Sequence, residues 1–243
     1  MRPDDGPAGS LPQRGSVPPG AGSLQQVRSI LAQATGTAPV PHGAEAMPLR
    51  LDRSVALIGP MGSGKSTVGR ELARRLGVGS VDTDQVFCEI HGPIPEFFAA
   101  HGEPAFRAAE AEVVQAVLAT AVPLVVSLGG GSVISATTRT ALRSGSHPVL
   151  LEVDEAEALA RLGRGQGRPV LAGDPAGTWR RILSEREHLY REVASWTVKT
   201  TGLDAGQVAA RIAELLVDRQ TETLPVPPDQ HNAPDHHLSL IHI

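Results

Sequence analysis

The run Val55-Ala56-Leu57-Ile58-Gly59-Pro60-Met61-Gly62-Ser63-Gly64-Lys65-Ser66-Thr67 decides the fold. Its four opening apolar residues read as a short strand buried on both faces, the mark of a parallel sheet. Over 66–76 the apolar residues Val68, Leu72 and Leu76 return at helical spacing on one face. Between strand and helix the chain matches G-x-x-x-x-G-K-[ST], a loop that cradles phosphate. Glycines let successive backbone N–H groups turn inward around phosphate oxygens, where side chains would obstruct them. The following helix aims the positive end of its dipole at the same anion. Gly62, Ser63, Gly64, Lys65, Ser66 and Thr67 are therefore the candidate contacts for a purine nucleotide. Lys65 reaches the β- and γ-phosphates, and the Ser66 hydroxyl ligates Mg2+. By itself the motif does not separate a kinase from a motor or a GTPase.

Outward from this loop, apolar runs alternate with helical patterns. Strands are expected over 80–81, 124–128, 149–153 and 197–199, and helices over 103–119, 136–143, 155–162, 178–193 and 205–218. That alternation gives an α/β fold of three layers, a parallel sheet with helices on both faces. The segment 50–218 is one domain's worth of chain. Residues 1–49 hold eight of the twenty prolines and are expected to be disordered. Within them, Leu24, Val27, Ile30 and Leu31 fall at helical spacing behind Ser23, read as a transient helix with a docked helix as the alternative. From 219 to 243 the chain is again polar and proline-rich, a solvated tail whose His231, His236, His237 and His242 match no structural zinc spacing.

Composition removes several classes of function. A net charge of −4 and a pI near 6.1 leave no electrostatic footprint for nucleic acid or an anionic membrane. No apolar run approaches the ~18 residues of a membrane span. The single cysteine, Cys88, excludes an internal disulfide and suits a reducing compartment. The expectation is a soluble, cytoplasmic monomer acting on small molecules.

Four further stretches bear on what receives the phosphate. Asp82-Thr83-Asp84 follows the second strand at its carboxyl end, where open α/β sheets bind ligands. One aspartate there can hold a metal through water while the other takes a hydroxyl proton, or the pair can simply cap a helix. Arg107 shares a helix face with Glu103 and Glu110, either as an exposed ion-pair ladder or as a guanidinium held for a substrate carboxylate. Gly129-Gly130-Gly131 follows the third strand, as a turn or as backbone that a ligand approaches closely. The stretch Arg161-Leu162-Gly163-Arg164-Gly165-Gln166-Gly167-Arg168-Pro169 reads as a lid or as a solvated loop. Arg186, Tyr190 and Ala194 repeat at spacing four along one helix.

In this order the motifs resemble the shikimate kinase family, across essentially the whole central segment. The resemblance implies a five-stranded parallel sheet of order 2-3-1-4-5 with a mobile lid. It also implies transfer of the γ-phosphoryl of ATP to the 3-hydroxyl of shikimate, with Mg2+ as cofactor. Asp84 then contacts the reacting hydroxyls and serves as base, and Arg107 and Arg186 clamp the shikimate carboxylate. Gly129, Gly130 and Gly131 wall the ring, Arg168 is the lid arginine on the ATP phosphates, and Ser66 and Asp82 form the metal side. The chain departs from the family pattern at Thr201-Gly202-Leu203-Asp204, where an adenine-stacking residue is usual, and at Gly92-Pro93-Ile94-Pro95. The competing readings are a kinase for another hydroxy acid such as gluconate, and a nucleotide-binding protein without catalysis.

Overall fold

Short strands with no polar face must lie inside a sheet covered on both sides. The structure, a computed structural model, describes residues 26–27, 29–31, 51–163 and 173–223. Strands β1 (Ser54–Ile58), β2 (Gly79–Asp82), β3 (Leu124–Ser127), β4 (Ser146–Glu152) and β5 (Trp196–Lys199) form one sheet of order β2-β3-β1-β4-β5. All four pairings are parallel, with Val55 opposite Val125 and Leu57 opposite Val149. This is the expected order. Because β1 lies between β3 and β4, the chain passes to both sides of it, which opens a ligand crevice at its carboxyl end.

Alternation along the strands divides the core in two. Val55 and Leu57 of β1, with Val125, Val149 and Leu151, face α1 (Lys65–Leu76) and α7 (Ala205–Thr223), which supply Leu72 and Ile212. Ala56 and Ile58, with Val126 and Leu150, face the other layer. That layer comprises α2 (Thr83–His91), α3 (Ile94–Leu118), α4 (Ala136–Gly145) and α6 (Pro175–Val193), which bring Phe87, Val114, Leu142 and Tyr190. A smaller cluster of Val153, Ala158 and Trp179 sits between α5 (Glu155–Gly163) and α6.

Several boundaries differ from the sequence reading, each for a local reason. Helix α3 begins well before 103, because Pro93 and Pro95 stand at its first positions, where a missing N–H costs nothing. Gly102, at φ 77° and ψ 173°, then breaks it, so the prolines of 92–95 start a helix and the glycine interrupts it. Helix α6 starts at Pro175 behind Asp174, whose carboxylate accepts from Gly177 N. Helix α7 runs to Thr223, beyond the expected boundary at 218, and Arg219 lies 5.7 Å over the Trp196 ring.

The largest difference is near the amino terminus. Residues 26–27 and 29–31 are helical, and Val27 and Leu31 are 1% and 4% exposed within the same cluster as Phe87 and Val114. For these residues the docked helix replaces the expected disorder and the transient helix. Two apolar side chains four apart on one face have a common surface to bury. No helix among the described residues is long and apolar enough to cross a membrane.

Candidate active site

The phosphate loop joins β1 to α1. Gly59, Gly62 and Gly64 take φ values of 138°, 83° and 89°, which side chains resist. Gly64 is the N-cap of α1 and no side chain caps the helix, so the positive end of its dipole meets the loop uncovered by a capping side chain, while Thr67 N turns back to Gly64 O at 3.1 Å. Ser63 is fully buried and donates to Pro60 O at 2.9 Å. Lys65 Nζ donates to Gly59 O at 2.9 Å and to Pro60 O at 3.0 Å, which lays its ammonium along the loop. A cavity of about 500 Å³ opens over these residues and extends past Asp82, Asp84 and Gly129 at one end and Arg161 and Leu203 at the other.

Asp82 ends β2 and works with both oxygens. Oδ1 caps α2 by accepting from Asp84 N at 3.1 Å, and Oδ2 accepts from Ser66 Oγ at 2.6 Å. Capping and the second contact thus coexist in one side chain. Ser66 and Asp82 bring two hard oxygen donors together beside the loop, the ligand type a small divalent cation accepts. Among the described residues no group of three or more His, Cys, Asp or Glu gathers to hold a metal without help from phosphate and water.

The glycine run organises the other half of the site. A Cβ on Gly129 would collide with Asp84 Oδ1 and stand 3.0 Å from Glu110 Oε1. A Cβ on Gly131 would stand 2.5 and 2.6 Å from the two terminal nitrogens of Arg107. Gly130 offers its carbonyl, which accepts from Arg186 Nη1 at 3.3 Å and from the Tyr190 hydroxyl. Three consecutive residues therefore seat side chains brought by three helices, α2, α3 and α6. Asp84, Gly129 and Gly130 line the main cavity; Arg107 and Arg186 are not part of its lining and stand behind the glycines, at Gly131 and Gly130, with Arg107 bordering a second cavity of about 490 Å³ near Ile134.

Glu110, 5% exposed, accepts from Arg107 Nη1 at 2.7 Å and from Ser132 Oγ at 2.8 Å. Glu103 is looser, 3.6 Å from Arg107 Nε, so Arg107 is a held guanidinium rather than a rung of a surface ladder. The Nε atoms of Arg107 and Arg186 are both buried without a hydrogen-bond partner among the described residues. Two guanidiniums with donors in reserve suit an anionic group. Burial pushes the Tyr190 hydroxyl up to about 12 against the opposing pull of Arg186 and Arg107, so it stays a neutral donor.

At the far end, Arg161 donates to Thr200 O at 3.0 Å, to Thr200 Oγ1 at 3.2 Å and to Gly62 O at 3.2 Å, and pairs with Glu157. The expected lid over 161–169 thus begins with a fixed arginine, while Arg164 and Arg168 lie outside the described residues. Leu203 and Asp204, from the stretch where the family pattern has an adenine contact, stand on the cavity wall, while sequence reading missed Glu110's link to Ser132 and the Tyr190 contact with Gly130. Only the spacing of Arg186 and Tyr190 hinted at either of them.

Comparison with known proteins agrees with this geometry. The family model for shikimate kinase matches residues 61–217. A shikimate kinase of Saccharopolyspora erythraea is 47% identical over 160 residues, covering 65% of this chain and 90% of that protein. One from Streptomyces coelicolor is 46% identical over 149 residues, 61% of this chain and 86% of its own. Among solved structures, shikimate kinase from Acinetobacter baumannii in complex with shikimate superposes with a TM-score of 0.66 at 34% identity, covering 69% of this chain and 94% of that one. A phosphate loop facing Asp84 and two arginines across a glycine run, on a sheet of this order and with relatives this near, means that the chain belongs to the shikimate kinase family.

Proposed function

We propose that segment 50–218 is the catalytic unit and that it transfers the γ-phosphoryl of ATP to the 3-hydroxyl of shikimate, giving shikimate 3-phosphate and ADP. The observation that carries this reading is the glycine run, because its three residues gather an acceptor for a hydroxyl proton and two cations for a carboxylate beside the phosphate loop. An acid that also bears a hydroxyl needs that set of groups.

The reaction follows from the side chains. Loop amides from Gly62 to Thr67 hold the triphosphate, and Lys65 leaves its carbonyl partners for the phosphoryl oxygens, where charge spreads in the transition state. Arg107, braced by Glu110, and Arg186 pair with the shikimate carboxylate and fix the ring so that its 3-hydroxyl faces the γ-phosphorus. The hydroxyl oxygen bonds to phosphorus as the bond from phosphorus to the β–γ bridging oxygen breaks. The hydroxyl proton passes to Asp84, and ADP leaves. Ser66 directly and Asp82 through water would hold Mg2+, which when bound neutralises charge on the β- and γ-phosphates. Arg168 adds a further cation to the phosphoryl group in this reading. At the far end, Arg161 and Leu203 are the surfaces offered to adenine, in place of the stacking residue missing after Thr200.

The test is ADP release by the full chain with ATP, varied acids and varied Mg2+. Turnover should require both shikimate and Mg2+. A folded protein whose ADP release shikimate does not stimulate would overturn the assignment, and faster turnover on gluconate would move it to another acceptor.

A further inference from the structure

Helices α5 and α6 both hold the outside of the phosphate loop by its carbonyls. Trp179 of α6 donates from Nε1 to Met61 O at 3.0 Å, and Arg161 of α5 donates to Gly62 O at 3.2 Å. The preceding carbonyl, Pro60 O, accepts from Ser63 Oγ. Three successive carbonyls therefore have side-chain partners; Ser63, Arg161 and Lys65, which also donates to Pro60 O at 3.0 Å, line the cavity, whereas Trp179 holds Met61 O from outside its lining. Because a peptide unit is planar and trans, fixing the Met61 carbonyl also fixes the opposed N–H of Gly62. Gly62 lines the cavity.

The indole is well placed to impose this. Trp179 is 3% exposed and packs with Val153 and Ala158, apart from the two larger core clusters. It has one donor and no acceptor, so its bond to Met61 O has only one sense. Ala158 of the same cluster meets the loop directly: a Cβ on Gly62 would stand 2.8 Å from Ala158 O. The loop is thus pressed against α5 at Gly62 and tied to α6 one residue earlier.

We propose that Trp179 is a positioning residue for the nucleotide: its indole N–H orients the Met61–Gly62 peptide so that the Gly62 N–H faces the phosphates. This rests on the reading of the loop as the ATP site. Phenylalanine at 179 would keep most of the buried ring but remove the donor, leaving the peptide free to turn.

The experiment compares the full chain with Trp179→Phe and with Trp196→Phe as a control, varying ATP and shikimate separately. Trp179→Phe should raise the KM for ATP about tenfold, the size of one lost hydrogen bond to the loop, while the KM for shikimate stays within about twofold. A merely structural indole would lower the melting temperature and leave the KM for ATP alone, and an unchanged KM overturns the proposal. Should Trp179→Phe fail to fold, the Trp196→Phe chain leaves Trp179 as the single tryptophan. Its indole N–H resonance should then move on adding ADP and not on adding shikimate; a resonance that saturating ADP leaves in place overturns the proposal. Wild-type protein without shikimate-stimulated turnover would instead defeat the function, with the ADP titration still deciding the role of Trp179.

Discussion

Asp84 stands in the space that a side chain on Gly129 would need. A Cβ there would run into Oδ1, and Glu110 Oε1 would be 3.0 Å away. The backbone is also tied, since Gly129 N donates to Thr83 Oγ1 at 3.3 Å, so the residue does not retreat freely. Its φ is not positive, and alanine would therefore act by collision rather than by backbone strain. Gly129→Ala is expected to displace the Asp84 carboxylate and lower kcat by about tenfold to hundredfold, with the KM for ATP unchanged. Initial-rate kinetics check this, and a kcat within about twofold of wild type would show that Asp84 does not act from this position.

The two arginines should part company in stability while agreeing in kinetics. Arg107→Ala and Arg186→Ala each remove a partner of the substrate carboxylate, so each should raise the KM for shikimate by about thirtyfold or more. Arg107→Ala additionally leaves the buried Glu110 with Ser132 alone, at a cost of about 1–3 kcal/mol. Arg186→Ala takes one of two donors from Gly130 O and leaves Tyr190 on it. Thermal melts should therefore fall further for Arg107→Ala. Equal melting temperatures would mean that Glu110 does not depend on its guanidinium.

Tyr190 is the only tyrosine in the chain, so phenolate absorbance reads it alone. Burial raises its pKa to about 12, against about 10 for a free phenol. A raised folded-state value means that the folded protein holds the proton more tightly than the unfolded chain. The associated stability is complete below pH about 10 and is lost as pH rises toward about 12. Absorbance of the folded protein should titrate near the upper value, and Tyr190→Phe should flatten the decline in melting temperature over that window. A midpoint near 10 with native circular dichroism would contradict the buried hydroxyl.

What the sequence made legible was local. The phosphate loop is read from one contiguous stretch because glycines, lysine and serine act on a ligand held by their own backbone. The sheet order came with the family resemblance and held. The glycine run was legible as permissive backbone and, through the resemblance, as a wall for the substrate ring; that Gly129 makes room for Asp84 and Gly131 for Arg107 depends on helices arriving from 45 and 24 residues earlier in the chain (129 − 84 and 131 − 107). Likewise Arg161 carries the composition of a loop arginine, but Thr200, 39 residues on, decides where it points. Packing partners of this kind leave no periodic trace in a sequence. Trp179 left only its rarity, as one of two tryptophans.

The helical residues near the amino terminus give the last prediction. The family model begins at 61, so Val27 and Leu31 join the core cluster from outside the residues that the model matches. Burying one aliphatic side chain is worth about 1.5–3 kcal/mol, and ordering the short segment takes back part of the gain from two. A net contribution of about 1–3 kcal/mol corresponds to roughly 3–10 °C in a domain of this size. The double variant Val27→Asp with Leu31→Asp should lower the melting temperature of the full chain by that amount, because a buried carboxylate without a partner undocks the helix. The pair Gln25→Asp with Gln26→Asp brings the same charge to the segment and spares both buried positions, with Gln26 exposed, so it should leave the melting temperature within about 1 °C. Equal melting by both double variants would mean that the helix contributes no net stability where it lies.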